Sequence, residues 1–384
     1  MQLQCWRETD LSQAAEAGLA CTAEQFVQAP RQASGEAAPA LDDEAFLKKL
    51  PATGISNIQA GVYDMTRGRF APTPSGPMHL GNALSALIAW LHIRKDGGQF
   101  ILRIEDIDMQ RSKPEYARQL LDDLRWLGID WDEGPDVGGS YGPYVQSERL
   151  ARYDSALHEL EAAGRVYPCY CSRAELTAIA GAPHGIASEG PVYAGMCRRL
   201  TPAERMAKSA AKTPSLRFAV PDAPLRFVDE IQGPQQAPAG SGGDFVVKRA
   251  DGMFGYQLAV VVDDAAMRVT HVVRGGDLLD STPRQLWLYE ALGLPAPAFA
   301  HVPLLLGEDG RKLSKRHGAV ALRELREAGA APEQVVGWLA HICGLRDRLQ
   351  PAKTTELLAD FRLDRIAKQP IVASGSLLAQ IGRV

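Results

Sequence analysis

The stretch Arg69 to Asn82, RFAPTPSGPMHLGN, constrains this chain more than any other. It opens on a basic residue, carries Pro72, Pro74 and Pro77, and passes through His79 and Gly81 into the apolar-periodic run Ala83 to Ile93. That run predicts a helix with Leu84, Leu87, Ile88 and Leu91 on one face. A loop entering a helix presents unpaired N–H groups and positive dipole potential, an arrangement suited to a phosphate chain. Proline stiffens the approach, and Gly76 and Gly81 let backbone come close to a ligand. Far along the chain, Lys312 to Arg316 reads KLSKR, a second basic segment able to meet the same phosphates.

The length of 384 residues allows two or three domains with a substantial core. No apolar run approaches the roughly 18 residues of a membrane span. The start lacks the basic flank and apolar stretch of an export signal, so the expected compartment is the cytoplasm. Cys169 and Cys171 flank a single residue and read as metal ligands in preference to a disulfide pair. The overall charge of −4 is unevenly spread: Arg311 to Val384 holds thirteen Lys and Arg against seven Asp and Glu, or +6, leaving −10 before it. Either a local footprint for a nucleic-acid backbone or a solvated helical surface accounts for that balance.

Residues 1–64 are rich in Ala, Gln and Glu, carry Cys5 and Cys21 without a motif, and are expected to form a poorly ordered extension or translation from an upstream start. Beyond Met65, strand and helix alternate, which predicts an α/β fold with a parallel sheet and crossover helices. Phe100 to Ile104 reads as a buried strand, and Ser112 with Glu115 as a capping box over a helix closing near Gly128. A further helix runs through Leu150, Tyr153, Leu157 and Leu160. The pattern breaks from Val166 to about Gly243, then resumes with Phe245 to Lys248, an Asp251-Gly252 turn and Tyr256 to Val262 as the returning strand. A strand near His271 to Val273 and a helix begun by Ser281, Thr282 and Pro283 follow. The predicted division is 65–166 and 244–316 as two halves of one domain, 167–243 as an insertion, and 317–384 as a short helical region.

RFAPTPSG, the HLG after it, RIEDID, VVRGGDLLDSTPRQ and KLSKR occur here in the order and approximate spacing of the glutamyl branch of class I aminoacyl-tRNA synthetases, which the chain resembles over roughly Thr66 to Val320. The resemblance implies a Rossmann-like catalytic domain split by an acceptor-type insertion, with ATP and Mg2+ as the substrate complex. It implies that Pro72, His79, Gly81, Asn82, Lys312, Ser314 and Lys315 bind ATP. Lys315, His79 and Lys312 would meet charge developing on the phosphates. A lone loop histidine or a solvated Lys-rich turn would explain either motif singly. Asn82 departs from the HxGH form of the pattern, but an Asn can still donate a hydrogen bond. Arg69, Thr73, Glu105, Tyr256 and Arg274 are implied as the glutamate pocket. The arginines would grip carboxylates bidentately and Glu105 would pair with the amine; the other reading for Arg69 and Glu105 is a mutual structural ion pair.

Cys169, Cys171 and Cys197 offer three soft ligands toward tetrahedral zinc, needing a fourth. In the short glutamyl paralogues a CxC…YxxxC pattern carries this site, which implies Tyr193. The segment between is long for that pattern, and His184 within it is a rival ligand. Cys343 lies in the apolar run Val335 to Leu345 and reads as core. After Arg316 only 68 residues remain, enough for helices at Ala321 to Ala328, Pro332 to Cys343 and Thr354 to Phe361, and far short of an anticodon-binding region. The resemblance is therefore to paralogues that transfer glutamate to queuosine at position 34 of tRNA(Asp). The anticodon stem-loop and L-glutamate are the implied partners, and no membrane. A truncated synthetase charging the 3′ end of tRNA(Glu) is the alternative. A related nucleotidyltransferase and a non-catalytic tRNA-binding module are two further readings.

Overall fold

Alternating sequence becomes a layered α/β structure, described here from a computed structural model for residues 65–172, 174–176, 193, 195–313, 321–373 and 380–382. The expectations for residues 1–64, His184, Ser314 and Lys315 fall outside that set. The strands are β1 Arg67–Phe70, β2 Gln99–Leu102, β3 Val166–Cys169, β4 Ser215–Phe218, β5 Leu225–Asp229, β6 Gly233–Ala237, β7 Phe245–Lys248, β8 His271–Gly275, β9 Ala298–Val302, β10 Leu305–Leu306 and β11 Ile371–Val372. The helices are α1 Leu80–Lys95, α2 Pro114–Trp126, α3 Leu150–Ala162, α4 Pro202–Ala211, α5 Tyr256–Ala266, α6 Thr282–Ala291, α7 Leu322–Glu327 and α8 Pro332–Ile342.

The main sheet runs β2-β1-β8-β9-β5-β6, parallel except for the antiparallel edge strand β6. Successive residues of each strand point to opposite faces. Phe70, Val273, Ala300 and Val302 join the core on the α1 side, whereas Ile101, Val272 and Phe299 join the core containing α3, α5 and α6. Helix α1 is buried on nearly all sides, not along one stripe, because the α8 segment covers the side turned away from the sheet. Gly68 lets α1 approach: a Cβ there would lie 2.3 Å from Cγ1 of Ile93.

Three local expectations change. Tyr256 to Val262 is not a returning strand. The turn does form, with Gly255 N–H donating to Val247 at 2.8 Å, but the pairing ends there and Tyr256–Ala266 becomes helix α5. Its β-branched run Val260 to Val262 suggested a strand; burial between α3 and α6 overrides that propensity. The capping box at Ser112 is absent. Lys113 is the N-cap residue, pinned by its N–H to Pro74 at 3.0 Å, so Glu115 lies one position too early to close the box. Thr354 opens a short 3-10 turn, Thr354–Leu357, where a longer helix was expected.

The sheets cut across the chain segments. The hairpin β5–β6, from within 167–243, lies on the edge of the main sheet, while β7 completes a three-stranded antiparallel sheet in the order β3-β4-β7. The short parallel pair β10–β11 ties the C-terminal segment to the strand preceding Lys312.

Candidate active site

At the carboxyl ends of β1 and β8 lies a cavity of about 220 Å³ lined by Arg69, Pro72, His79, Gly81, Asn82, Tyr256, Arg274, Asp277 and Lys312, among others. Parallel sheets bind ligands at this edge because strand ends and helix N-termini converge there. His79 is the N-cap residue of α1, in extended backbone, and its carbonyl accepts the Ala83 N–H at 3.0 Å. Gly81 and Asn82 in the first turn contribute the cavity wall. His79 also forms a bridge to Ala321, and Leu322 N–H donates to Met78 at 2.9 Å. Leu313 lines the cavity. The described residues on either side of 314–320 therefore sit at this site.

The two arginines are held differently. Arg69 is buried on β1; its Nε lies 3.3 Å from Asp264 and its Nη1 3.5 Å from the Val273 carbonyl. Both Nη2 hydrogens lack a partner among the described residues. Asp264 in turn pairs with Arg103 at 2.7 Å, and its neighbour Asp263 with Arg149 at 2.6 Å. Tyr153 and Gln146 also donate to Asp263, at 2.8 and 2.9 Å. Two carboxylates near the negative end of α5 are thus compensated by three guanidinium groups, as buried charges require.

Arg274 on β8 gives Nε to Nε2 of His301 at 2.9 Å, Nη1 to Gln285 at 2.8 Å, and Nη2 to Thr282 at 2.9 Å and the Leu278 carbonyl at 3.3 Å. Four of its five N–H donors are thereby engaged, leaving it one hydrogen for a substrate carboxylate, while Arg69 retains the more open fork. His301 faces Arg274 directly in the β8–β9 register. Its Nδ1 meets Asp229 of β5 at 2.5 Å, and both side chains are fully buried. Because Arg274 must donate to Nε2, Nδ1 carries the proton and the imidazole is neutral. Burial agrees, lowering the His301 pKa to about 4.

Glu105 is buried and bonded to Arg103 at 2.9 Å, while Arg69 pairs with Asp264, so the two do not form the mutual ion pair. Burial raises the Glu105 pKa above its ordinary value against the pull of Arg103. Neither Glu105 nor the exposed Thr73 lines the cavity. Tyr256 opens α5 at the cavity wall, and burial raises its phenol pKa despite nearby Arg274, so it stays protonated. Lys312 reaches Asp277 at 2.5 Å near the surface. Asp277 and Leu278 belong to the DLLDSTPRQ segment, whose pattern by itself gives neither a role. Nothing in the sequence marks the Asp229–His301 pair, whose members lie 72 residues apart.

Within the insertion, Cys169, Cys171 and Cys197 bring their sulfurs within 4.8 Å of one another. The Tyr193 hydroxyl lies 3.5 Å from the Cys169 sulfur and 3.8 Å from that of Cys171. It also accepts the Cys197 N–H at 2.8 Å, and Arg217 stacks 4.0 Å over its ring. Three sulfurs and one phenol oxygen thus converge as a tetrahedral ion would need. Burial opposes ionisation of Cys169, but its hydrogen bonding with Tyr193, the Cys171 backbone and Arg217 brings the thiol pKa below its ordinary value.

The model of tRNA synthetases class I (E and Q), catalytic domain, matches residues 65–370. The chain is 64% identical to the glutamyl-Q tRNA(Asp) synthetase of Symbiobacterium thermophilum, over 83% of this chain and 98% of that protein. It is 48% identical, with the same coverage, to the glutamyl-Q tRNA(Asp) synthetase of Nitratidesulfovibrio vulgaris. The glutamate–tRNA ligase of a Sulfurihydrogenibium species is 46% identical, but the match spans 65% of its length. Among solved structures, the glutamate-tRNA synthetase of Elizabethkingia anophelis superimposes with a TM-score of 0.73 at 31% identity, over 83% of this chain and 70% of that one. Motif order, the cavity at the parallel strand ends and near-complete coverage of the short relatives lead to one assignment: the chain belongs to the class I tRNA synthetases of the E and Q type, in the glutamyl-Q tRNA(Asp) synthetase branch.

Proposed function

We propose that this protein activates L-glutamate with ATP and Mg2+ and transfers it to queuosine at position 34 of tRNA(Asp). The observation that carries the reading is the cavity itself, where a helix N-terminus and two arginines share one space of about 220 Å³. In the first step a glutamate carboxylate oxygen attacks the α-phosphorus and pyrophosphate leaves. The α1 entry at His79, Gly81 and Asn82 donates hydrogen bonds to phosphate oxygens, and Lys312 with Lys315 neutralises charge passing to the leaving group. Arg69, through its open Nη2 hydrogens, and Arg274 hold the two acid groups of glutamate, with Tyr256 beside them on the cavity wall and Thr73 outside it on the approach loop. Glu105 balances the substrate ammonium through the buried charge network. In the second step a hydroxyl of queuosine attacks the acyl carbon, AMP leaves, and the hydroxyl proton is released.

The insertion supports this chemistry from outside. Cys169, Cys171, Cys197 and Tyr193 would hold a structural zinc ion, which fixes β3 against the Met196–Arg199 turn. Coverage of 98% of the glutamyl-Q relatives against 65% of a glutamate–tRNA ligase favours the queuosine substrate over the 3′ end of tRNA(Glu). The test is ATP–pyrophosphate exchange with glutamate, glutamine and aspartate. Exchange driven by glutamate supports the reading; none with any amino acid would point to a binding module.

A further inference from the structure

The sheet face opposite Arg274 and His301 holds a second group of donors. Strand alternation turns Asp229 toward His301 and sends its neighbour Glu230 to the α1 side, where it meets His92 of α1 and His271, the first residue of β8. One donor atom from each of these three residues lies within 4.8 Å of the others. Nε2 of His92 is 3.5 Å from the Glu230 carboxylate, yet it is buried and makes no hydrogen bond. The two imidazoles meet edge to face with centroids 5.1 Å apart.

Hydrogen bonding suits His271 to the tautomer of a ligand. The Thr270 hydroxyl accepts the Arg67 N–H at 2.8 Å and donates its only proton to the Arg67 carbonyl at 3.0 Å. The hydroxyl oxygen can then accept from Nδ1 of His271, 2.8 Å away, in the tautomer that leaves the lone pair on Nε2. An imidazole whose other nitrogen is tied to an oxygen is the usual form of a metal ligand. The carboxylate of Glu230 has no Lys or Arg against it among the described residues, so the cluster offers three donors and lacks a cation.

We propose that His92, Glu230 and His271 form a second divalent-metal site, of the zinc class, separate from the cysteine site of the insertion. Two imidazoles and one carboxylate suit a borderline ion, with water completing the shell. Ligands about 2.0–2.2 Å from such an ion stand roughly 3.3 Å apart, so binding draws the three side chains inward by about 1 Å. The side chain of Glu230 is 32% exposed, which gives an entry path. The ion would tie α1, whose N-terminus carries His79, to β8, whose far end carries Arg274.

The test is cobalt titration of the whole chain, read by its visible spectrum and by metal content. The proposal expects two ions per chain, one with sulfur-to-cobalt charge transfer and one with ligand-field bands alone. Glu230→Gln and His92→Ala should each weaken the sulfur-free site by more than the 10–100-fold typical of losing an outer partner, and leave the sulfur band intact. Because His92 is packed and its variant could fail to fold, Glu230→Gln is the deciding substitution. A single ion per chain, or two whose spectra ignore Glu230→Gln, would overturn the proposal.

Discussion

Nε of Arg274 donates to Nε2 of His301 at 2.9 Å, and this bond decides which nitrogen of His301 keeps its proton. Asp229 enforces the same choice from the other side. Its Oδ1 accepts the N–H groups of Ile231, Gln232 and His301 at 3.1, 2.8 and 3.2 Å, leaving Oδ2 for Nδ1.

Asp229→Asn should therefore invert the tautomer. The three backbone donors hold the amide oxygen in the Oδ1 place, so the amide nitrogen faces Nδ1 and the proton moves to Nε2, against the Arg274 N–H. Exchange kinetics should show the glutamate KM rising about tenfold, the worth of one hydrogen bond to a charged group, with the ATP KM little changed. Imidazole nitrogen shifts report the tautomer independently. Unaltered shifts together with unaltered KM would refute the coupling.

His301 also predicts a pH dependence. Its folded pKa of about 4 lies below the ordinary 6.5 because of burial. The unfolded chain thus binds a proton between these values that the folded chain does not, and this residue's contribution to stability is lost as pH falls from about 6.5 toward 4. Denaturant titration of the protein and of His301→Gln should show the difference between them narrowing by about 2 kcal/mol from pH 7 to pH 5. A gap independent of pH would show that folding leaves the His301 pKa unshifted, and a gap that widens as pH falls would show that the imidazole is charged in the fold.

Lys312 and Asp277 form an exposed pair, the lysine side chain 63% accessible. Lys312→Ala should change unfolding free energy by no more than about 1 kcal/mol yet slow glutamate-dependent exchange. Lys315→Ala should slow exchange further while glutamate binding, measured by calorimetry, is kept. Exchange at the original rate in both variants removes the lysines from the chemistry.

Metal analysis separates the ligands of the insertion. Cys197→Ser should lose zinc, and Tyr193→Phe should bind it more weakly, because the phenol oxygen stands beside two of the sulfurs. Undiminished affinity in Tyr193→Phe would place the fourth ligand elsewhere, with His184 the next residue to replace.

Much of this arrangement is legible in the linear chain. The Arg69–Asn82 turn, helix α1 and strands β1, β2 and β8 follow from local pattern, since proline, glycine and apolar period act over a few residues. Helix α5 was not legible, because its valines favour a strand until neighbouring helices bury them. The return of hairpin β5–β6 to the main sheet depends on non-local pairing, which composition does not encode. For the same reason Asp229 and His301 read as an ordinary acid and an isolated histidine until register placed them side by side. The motif singled out Arg274, which lines the cavity, but not its four protein partners.

The most direct measurement is transfer of labelled glutamate to tRNA(Asp) bearing queuosine, followed by nuclease digestion to locate the label. The account predicts label in the anticodon fragment and none on tRNA(Asp) lacking queuosine. Label at a 3′ end, or acceptance of tRNA(Glu) in its place, would contradict it.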